Sequence, residues 1–192
     1  SGVPVDCVNV GLTVLWPEGC DLVLSGINNG PNLGFDITYS GTVAGAMEAC
    51  INKIPALAFS MGVLNHKDPV HFETAQQWIR ENLKYLLALE LPPRTFLNIN
   101  IPNLPLPVEL QTRVAPMGQR VYEDRVELRH DPWGRPYYWQ GGNVIIDRSD
   151  TGTDLEAIRQ GFVSVTPITL DWTNHEAIPL LANQLGSKQT SS

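Results

Sequence analysis

The stretch that most constrains this chain runs from Ser25 to Glu48, SGINNGPNLGFDITYSGTVAGAME, a loop of glycine, asparagine and small hydroxyls. Ahead of it, Asp21-Leu22-Val23-Leu24 is a short apolar run of the kind that forms a buried parallel strand, ending at Ser25-Gly26. Gly26, Gly30 and Gly34 lack a β-carbon, so the loop can take positive φ angles and lie close against a ligand. From Thr42 the residues VAGAMEACI favour a helix, with Ser40 or Thr42 as its N-cap. A capped first turn leaves backbone N–H groups unpaired at the positive end of the helix dipole, which is an anion site. In α/β sheets, phosphate binds where a strand's carboxyl end meets a helix N-terminus through a glycine loop.

An ordinary βα connection needs glycine and a cap, but not three asparagines in one loop. Asn28, Asn29 and Asn32 exceed what turn chemistry requires. Each offers an amide oxygen, a ligand that hard cations such as Mg²⁺ accept. No Gly-Lys-Ser/Thr follows, so this is not a Walker loop, and the glycine spacing is not a dinucleotide fingerprint in good order.

The string SGINNGPNLGFDITYSGTVAGAMEA closely resembles the signature of the SurE family, metal-dependent nucleotidases and phosphatases that act on nucleoside monophosphates. Three further stretches agree in order along the chain: Val5-Asp6-Cys7-Val8, Leu97 to Pro102, and Thr151-Gly152-Thr153-Asp154 leading into Gly161 to Pro167. The resemblance implies that Asn28 is a metal ligand and that Asn32, Ser40, Gly41 and Thr42 line a phosphate pocket. The catalytic set it implies is Asn28, Asn32, Ser40 and Thr42, with one divalent metal ion, Mg²⁺ or Mn²⁺, as cofactor. The implied reaction is hydrolysis of nucleoside 5′-monophosphates to nucleoside and phosphate. Two other readings stay open: a non-catalytic phosphate-binding or oligomerisation module, and a broader phosphatase acting on polyphosphate or nucleotide 3′-ends.

The chain also departs from the family pattern. Family members open with a strand ending in Asn-Asp-Asp-Gly, whose aspartates hold the metal, and a later serine adds a ligand; no Asp-Asp pair occurs here. The chain therefore looks N-terminally truncated, and these residues alone are expected to be inactive or nearly so. Loss of a central strand would also leave a parallel sheet with an exposed edge. The implied fold is α/β, a Rossmann-type three-layer sandwich with a protruding β-hairpin oligomerisation arm. One domain over 1–192 is expected: the α/β core with its phosphate loop over 1–107, the arm over 108–150, a closing strand and helix over 151–185, and a disordered tail over 186–192.

Composition adds bounds. At 192 residues and 43% hydrophobic content the chain can bury a core as one domain. A net charge of -7 argues against bulk nucleic-acid or membrane binding, though not against a mononucleotide met by backbone N–H groups. Cys7, Cys20 and Cys50 are widely spaced in apolar context, as reduced cysteines of a cytoplasmic protein are. No stretch approaches the roughly 18 apolar residues of a membrane span.

Past the signature, Ile54 to Ser60 reads as a second buried strand. Asp68-Pro69 is expected to open a helix whose apolar face is Phe72, Ala75, Ile79, Leu83, Leu86 and Leu87, ended by Pro92-Pro93. Thr95 to Ile101 is a third strand. His66, Lys67 and His71 fit a solvated loop better than a catalytic cluster. Arg113 to Met117 and Val121 to Leu128 read as strands, and Tyr137-Tyr138-Trp139 returns after a turn at Asp131 to Pro136. Such a hairpin has little core of its own. In this family an arm of that kind, with an exchanged C-terminal segment, makes dimers and tetramers, so a homodimer or homotetramer through the 113–139 hairpin and the C-terminal segment is implied. Trp133, Tyr137, Tyr138 and Trp139 are the interface candidates, with packing inside one subunit as the alternative. Asp154 either caps a short helix or orients a loop near the phosphate pocket, and stays outside the catalytic set. Val163 to Thr166 is an alternating strand stopped by Pro167, and Ala177 to Leu185 a terminal helix.

Overall fold

A computed structural model describes residues 2–65, 67–122, 125–141, 144–146 and 151–186. His66, parts of the arm and the tail from residue 187 lie outside the described residues. Gly186, expected in the tail, closes the last helix instead.

Helix α1 (Pro4–Val10) passes through a wide helical turn, Gly11–Leu15, to strand β1 (Val23–Asn28). The glycine loop follows, with a 3-10 turn at Gly34–Tyr39, then helix α2 (Gly41–Ile51), strand β2 (Ala56–Gly62), helix α3 (Phe72–Leu87) and strand β3 (Thr95–Pro102). Short strands β4 (Thr112–Val114), β5 (Arg120–Tyr122), β6 (Arg125–His130), β7 (Pro136–Gly141) and β8 (Val144–Ile146) come next. Helix α4 (Asp154–Arg159), strand β9 (Val163–Thr169) and helix α5 (Ala177–Gly186) complete the chain.

The main sheet has the order β1-β2-β3-β9-β4, with β1 at its edge. β1, β2 and β3 are parallel, β9 runs antiparallel to β3, and β4 is parallel to β9. Side chains alternate across a strand, and here the alternation sorts the core into two layers. Leu57, Phe59, Met61, Leu97, Ile99, Ile101, Val163 and Val165 pack with Ala75 and Trp78 of α3. On the opposite face Ala56, Ala58, Phe96 and Ile168 pack with Val43, Ala46 and Ala49 of α2. Helices on both faces of a parallel-dominated sheet make the three-layer sandwich, and strands covered on both faces are mostly apolar for that reason. The small residues of α2 and β2 bring that helix close: a Cβ at Gly45 would stand 2.8 Å from the Ser25 hydroxyl of β1.

Several local expectations give way. β1 does not stop at Leu24; it continues to Asn28, pairing again at Asn28–Ser60 past a register shift. Gly26 makes this possible, with φ +121, at a place where a Cβ would run into the Phe59 carbonyl oxygen. Nor do Asp68 and Pro69 open α3. The helix begins at Phe72 with His71 at the N-cap, because the preceding loop is tied to the end of β3 instead. His71 N donates to Asn103 Oδ1 and Asn103 Nδ2 to the Pro69 carbonyl, each at 2.8 Å, while Asp68 accepts from Asn65 Nδ2. The buried face of α3 centres on Ala75 and Trp78, with Phe72, Ile79, Leu83 and Leu86 at its margin and Leu87 half in solvent. The helix ends before Pro92-Pro93, at Leu87. The segment from Val121 to Leu128 divides into β5, which pairs with β8, and β6, which pairs with β7.

In the arm, Asp131 closes the turn by accepting from the N–H groups of Trp133 and Arg135, each at 2.9 Å. Trp133 and Tyr138 stand 77% and 76% exposed, so neither packs in this subunit's core. Beyond β9, His175 bonds to Asp171 through Nε2–Oδ2 at 2.7 Å, and Thr173 N donates to Asp171 Oδ1. The His175 bond, then Thr173, holds the Asp171 carboxyl well below the usual carboxylate range.

Two outcomes test this description. Trp78→Ala should cost about 3–5 kcal/mol and Leu87→Ala less than about 0.5 kcal/mol in urea unfolding, a ranking that equal costs would refute. A carboxylate whose pKa is lowered by folding stabilises above its unfolded value of 3.8, and that contribution is lost as pH falls below it. The Thr173 amide resonance should therefore keep its folded position down to the ordinary carboxylate range and shift only beneath it, and Asp171→Asn should shift it at neutral pH.

Candidate functional site

Because α2 returns antiparallel to β1 and packs against it, its N-terminus stands at the same end of the sheet as Asn28, the last residue of the strand. That end is the carboxyl end of the three parallel strands. Ser40 is the N-cap of α2, its Oγ accepting from Val43 N at 3.1 Å, while Ala44 N reaches the Ser40 carbonyl. The N–H groups of Gly41 and Thr42 belong to the first turn, beyond reach of any intrahelical carbonyl. They lie, with Ser40 and Thr42 themselves, at the positive end of the helix dipole.

Asn28 is half-buried, and its Nδ2 donates to the Gly30 carbonyl at 2.9 Å, which turns Oδ1 the other way. Asn32 is placed differently from the pocket-lining position implied by the sequence. It is buried, and its Nδ2 is committed to the Ser60 hydroxyl at 2.6 Å. Its backbone is held by two asparagines of β3: Asn32 N donates to Asn100 Oδ1 at 2.8 Å, and the Asn32 carbonyl accepts from Asn98 Nδ2 and Asn100 Nδ2, both at 2.9 Å. Asn28, Ser40, Gly41 and Thr42 thus share one end of the sheet, with Asn32 anchoring the loop beneath.

Ser60, Asn98 and Asn100 are the supporting residues that sequence reasoning passes over. Each is fully buried, on the face where Ala56, Ala58 and Phe96 meet α2 nearer the strand starts. Ser164 and Thr166 of β9 extend this polar layer, opposite Asn100 and Asn98. The layer retains three buried oxygens without a hydrogen-bond partner among the described residues: Asn98 Oδ1, Ser164 Oγ and Thr166 Oγ1. The detectable signal is Asn98-Ile99-Asn100, two asparagines on one face of an otherwise apolar strand.

Asp154 does more than serve the start of a helix. Thr153 holds the N-cap position of α4, and Asp154 lies in the first turn, wholly buried. Its Oδ2 accepts from Gly34 N, and its Oδ1 from Gly118 N and Leu155 N, each at 2.8 Å. His71, at the start of α3, bonds to Glu73 at 2.9 Å. An apolar groove of about 580 Å³ opens beside the 3-10 turn, walled by Phe35, Ile37, Met117, Ile168 and Trp172. Its lining is mostly apolar, with Thr38, Thr166, Thr169 and Asp171 as polar members.

Asn100→Ala would strip Asn32 of its N–H acceptor and of one carbonyl donor. It should destabilise the fold by about 1–3 kcal/mol, whereas Ser40→Ala should cost about 1 kcal/mol for the lost cap. Chemical unfolding of the two variants checks both values; a neutral Asn100→Ala would remove the anchoring role.

Comparison with known proteins agrees with this architecture. The family model described as Survival protein SurE matches residues 1–124. A 5′-nucleotidase SurE from Fervidobacterium nodosum is 41% identical over 189 residues, covering 97% of this chain and 72% of that protein. A 5′-nucleotidase SurE from Geobacter sulfurreducens is 42% identical over 181 residues, covering 94% and 68% respectively. The crystal structure of the SurE protein from Aquifex aeolicus superposes with a TM-score of 0.80 at 42% identity, over 96% of this chain and 73% of its own. The chain belongs to the SurE family.

Proposed function

We propose that these residues form the phosphate-binding side of a 5′-nucleotidase-type phosphomonoesterase, which releases nucleoside and phosphate from nucleoside 5′-monophosphates. The observation that carries this reading is the α2 N-terminus at the carboxyl end of the sheet, in a chain whose relatives are named 5′-nucleotidase SurE. Gly41 and Thr42 donate their N–H groups to phosphate oxygens, and the Ser40 and Thr42 hydroxyls add two donors. Fixed donors of this kind favour the charge that builds on the equatorial oxygens as the ester bond breaks. Asn32 contributes by fixing the loop, and Asn28 keeps its amide oxygen for a ligand while Nδ2 bonds the Gly30 carbonyl.

One divalent ion, Mg²⁺ or Mn²⁺, is the cofactor this reading implies. A hard divalent cation usually takes at least one carboxylate. Asn28 offers a single neutral oxygen, and among the described residues no three His, Cys, Asp or Glu side chains gather to hold an ion. The described donor set does not by itself fit such an ion. This favours a second reading for these residues taken alone: they bind phosphate with little turnover.

The exposed Trp133, Tyr137, Tyr138 and Trp139 of the arm, together with exposed Ile178, Leu180, Leu181 and Leu185 of α5, support a homodimer or homotetramer formed through the 113–139 hairpin and the C-terminal segment. A cytoplasmic setting suits the three unpaired cysteines. No helix among the described residues is long and apolar enough to cross a membrane.

Titration calorimetry with inorganic phosphate and with nucleoside 5′-monophosphates, with and without Mg²⁺ or Mn²⁺, paired with phosphate-release assays, tests the proposal. The two ligands should compete, and Thr42→Ala should weaken both about tenfold, the value of one hydrogen bond to a charged group. Failure of both ligands to bind at millimolar concentration would overturn the site. Binding without release under either metal selects the second reading, and equal release from polyphosphate or 3′-nucleotides selects a broader phosphatase.

A further inference from the structure

We propose that Asp154 is a positioning residue that ties the phosphate loop to the root of the β-hairpin arm, so that phosphate affinity depends on how the arm is held. The proposal rests on phosphate binding at the α2 N-terminus. Oδ2 of this wholly buried carboxylate takes the Gly34 N–H, at the residue that opens the 3-10 turn running directly into Ser40. Oδ1 takes the Gly118 N–H, two residues before β5. The Asp154 main chain grips the same root, its N–H donating to the Pro116 carbonyl at 2.9 Å. Leu155 and Ile158 of α4 pack against Leu33, the neighbour of Gly34, so polar and apolar contacts hold one bend.

Hydrogen bonds to an ionised carboxylate are short and strong, and here they join loop and arm through one side chain. Asparagine has the same shape but would turn an NH₂ toward one of these N–H donors. Thr153 sits at the N-cap of α4 without a side-chain cap bond, and Asp154 Oδ1 also takes the Leu155 N–H of the first turn, so the bonds to Gly34 and Gly118 are additional to anything capping uses.

The test compares Asp154→Asn with Thr74→Val, a buried site on α3 remote from the loop, whose hydroxyl bonds the Leu104 carbonyl. Inorganic phosphate is titrated into both variants and the parent chain, with amide NMR and hydrogen exchange at Gly34 and Gly118. Asp154→Asn should weaken phosphate binding about tenfold, the scale of one charge-assisted hydrogen bond, while Thr74→Val stays within about twofold of the parent even where its Tm falls as far. Phosphate should shift the Gly118 amide in the parent chain and leave it unmoved in Asp154→Asn. Parent-like affinity in Asp154→Asn, or a Gly118 amide that ignores phosphate in the parent, overturns the proposal. Should the parent chain bind no phosphate, the function proposed above falls. Exchange then still decides the tie: a Gly34 amide equally protected in Asp154→Asn refutes it, and a deprotected one upholds it.

Discussion

The fold depends on a buried amide layer at the carboxyl end of its sheet. Asn100 bonds both the N–H and the carbonyl of Asn32, Asn98 bonds the carbonyl, and Ser60 accepts from its side chain. Polar groups buried this deeply are tolerable only when they satisfy one another. The layer meets most of that demand by bonding a loop rather than another strand, and leaves Asn98 Oδ1, Ser164 Oγ and Thr166 Oγ1 without a partner among the described residues. Where an α/β sheet would ordinarily continue its apolar face, this one changes to amides and hydroxyls, and the glycine loop lies down on them.

That change divides one face of the sheet into two functions. Nearer the strand starts, Ala56, Ala58 and Phe96 seat α2 tightly. Nearer the strand ends, Ser60, Asn98 and Asn100 seat the loop that leads into it. The first turn of α2 is therefore fixed twice, by packing along its body and by the loop that delivers it. Donors held in place before a ligand arrives need no reorganisation when charge develops against them.

Legibility in the sequence follows the range of the interactions. The strand–loop–helix unit, its N-cap at Ser40 and the buried runs of β2 and β3 are local patterns, and they are readable as such. The family signature extends that reading to nearly the whole chain. The start of α3 is misplaced because Asn103, far along the chain, claims the loop that Asp68-Pro69 would otherwise wind into helix. Asp154 is ambiguous for the same reason: a carboxylate beside a short helix looks like a cap until its distant partners Gly34 and Gly118 are known. Asn32 carries the sharpest lesson. Its residue type suits a ligand-facing amide, yet the amide layer turns it inward, and only the three-dimensional pairing reveals this.

The Asn32–Asn100 and Gly34–Asp154 bonds span 68 and 120 residues. Loops of that length close slowly and late, because chain entropy must be lost before the contacts can compensate it. A peptide copying residues 25–48 would carry the signature without its shape, since the bonds that mould it come from β3 and α4. The proposed anion site is in this sense a product of completed folding rather than of its own segment. Phosphate occupancy would then report on the integrity of the whole sheet, and any ligand held there would bind the native state alone and stabilise it by mass action.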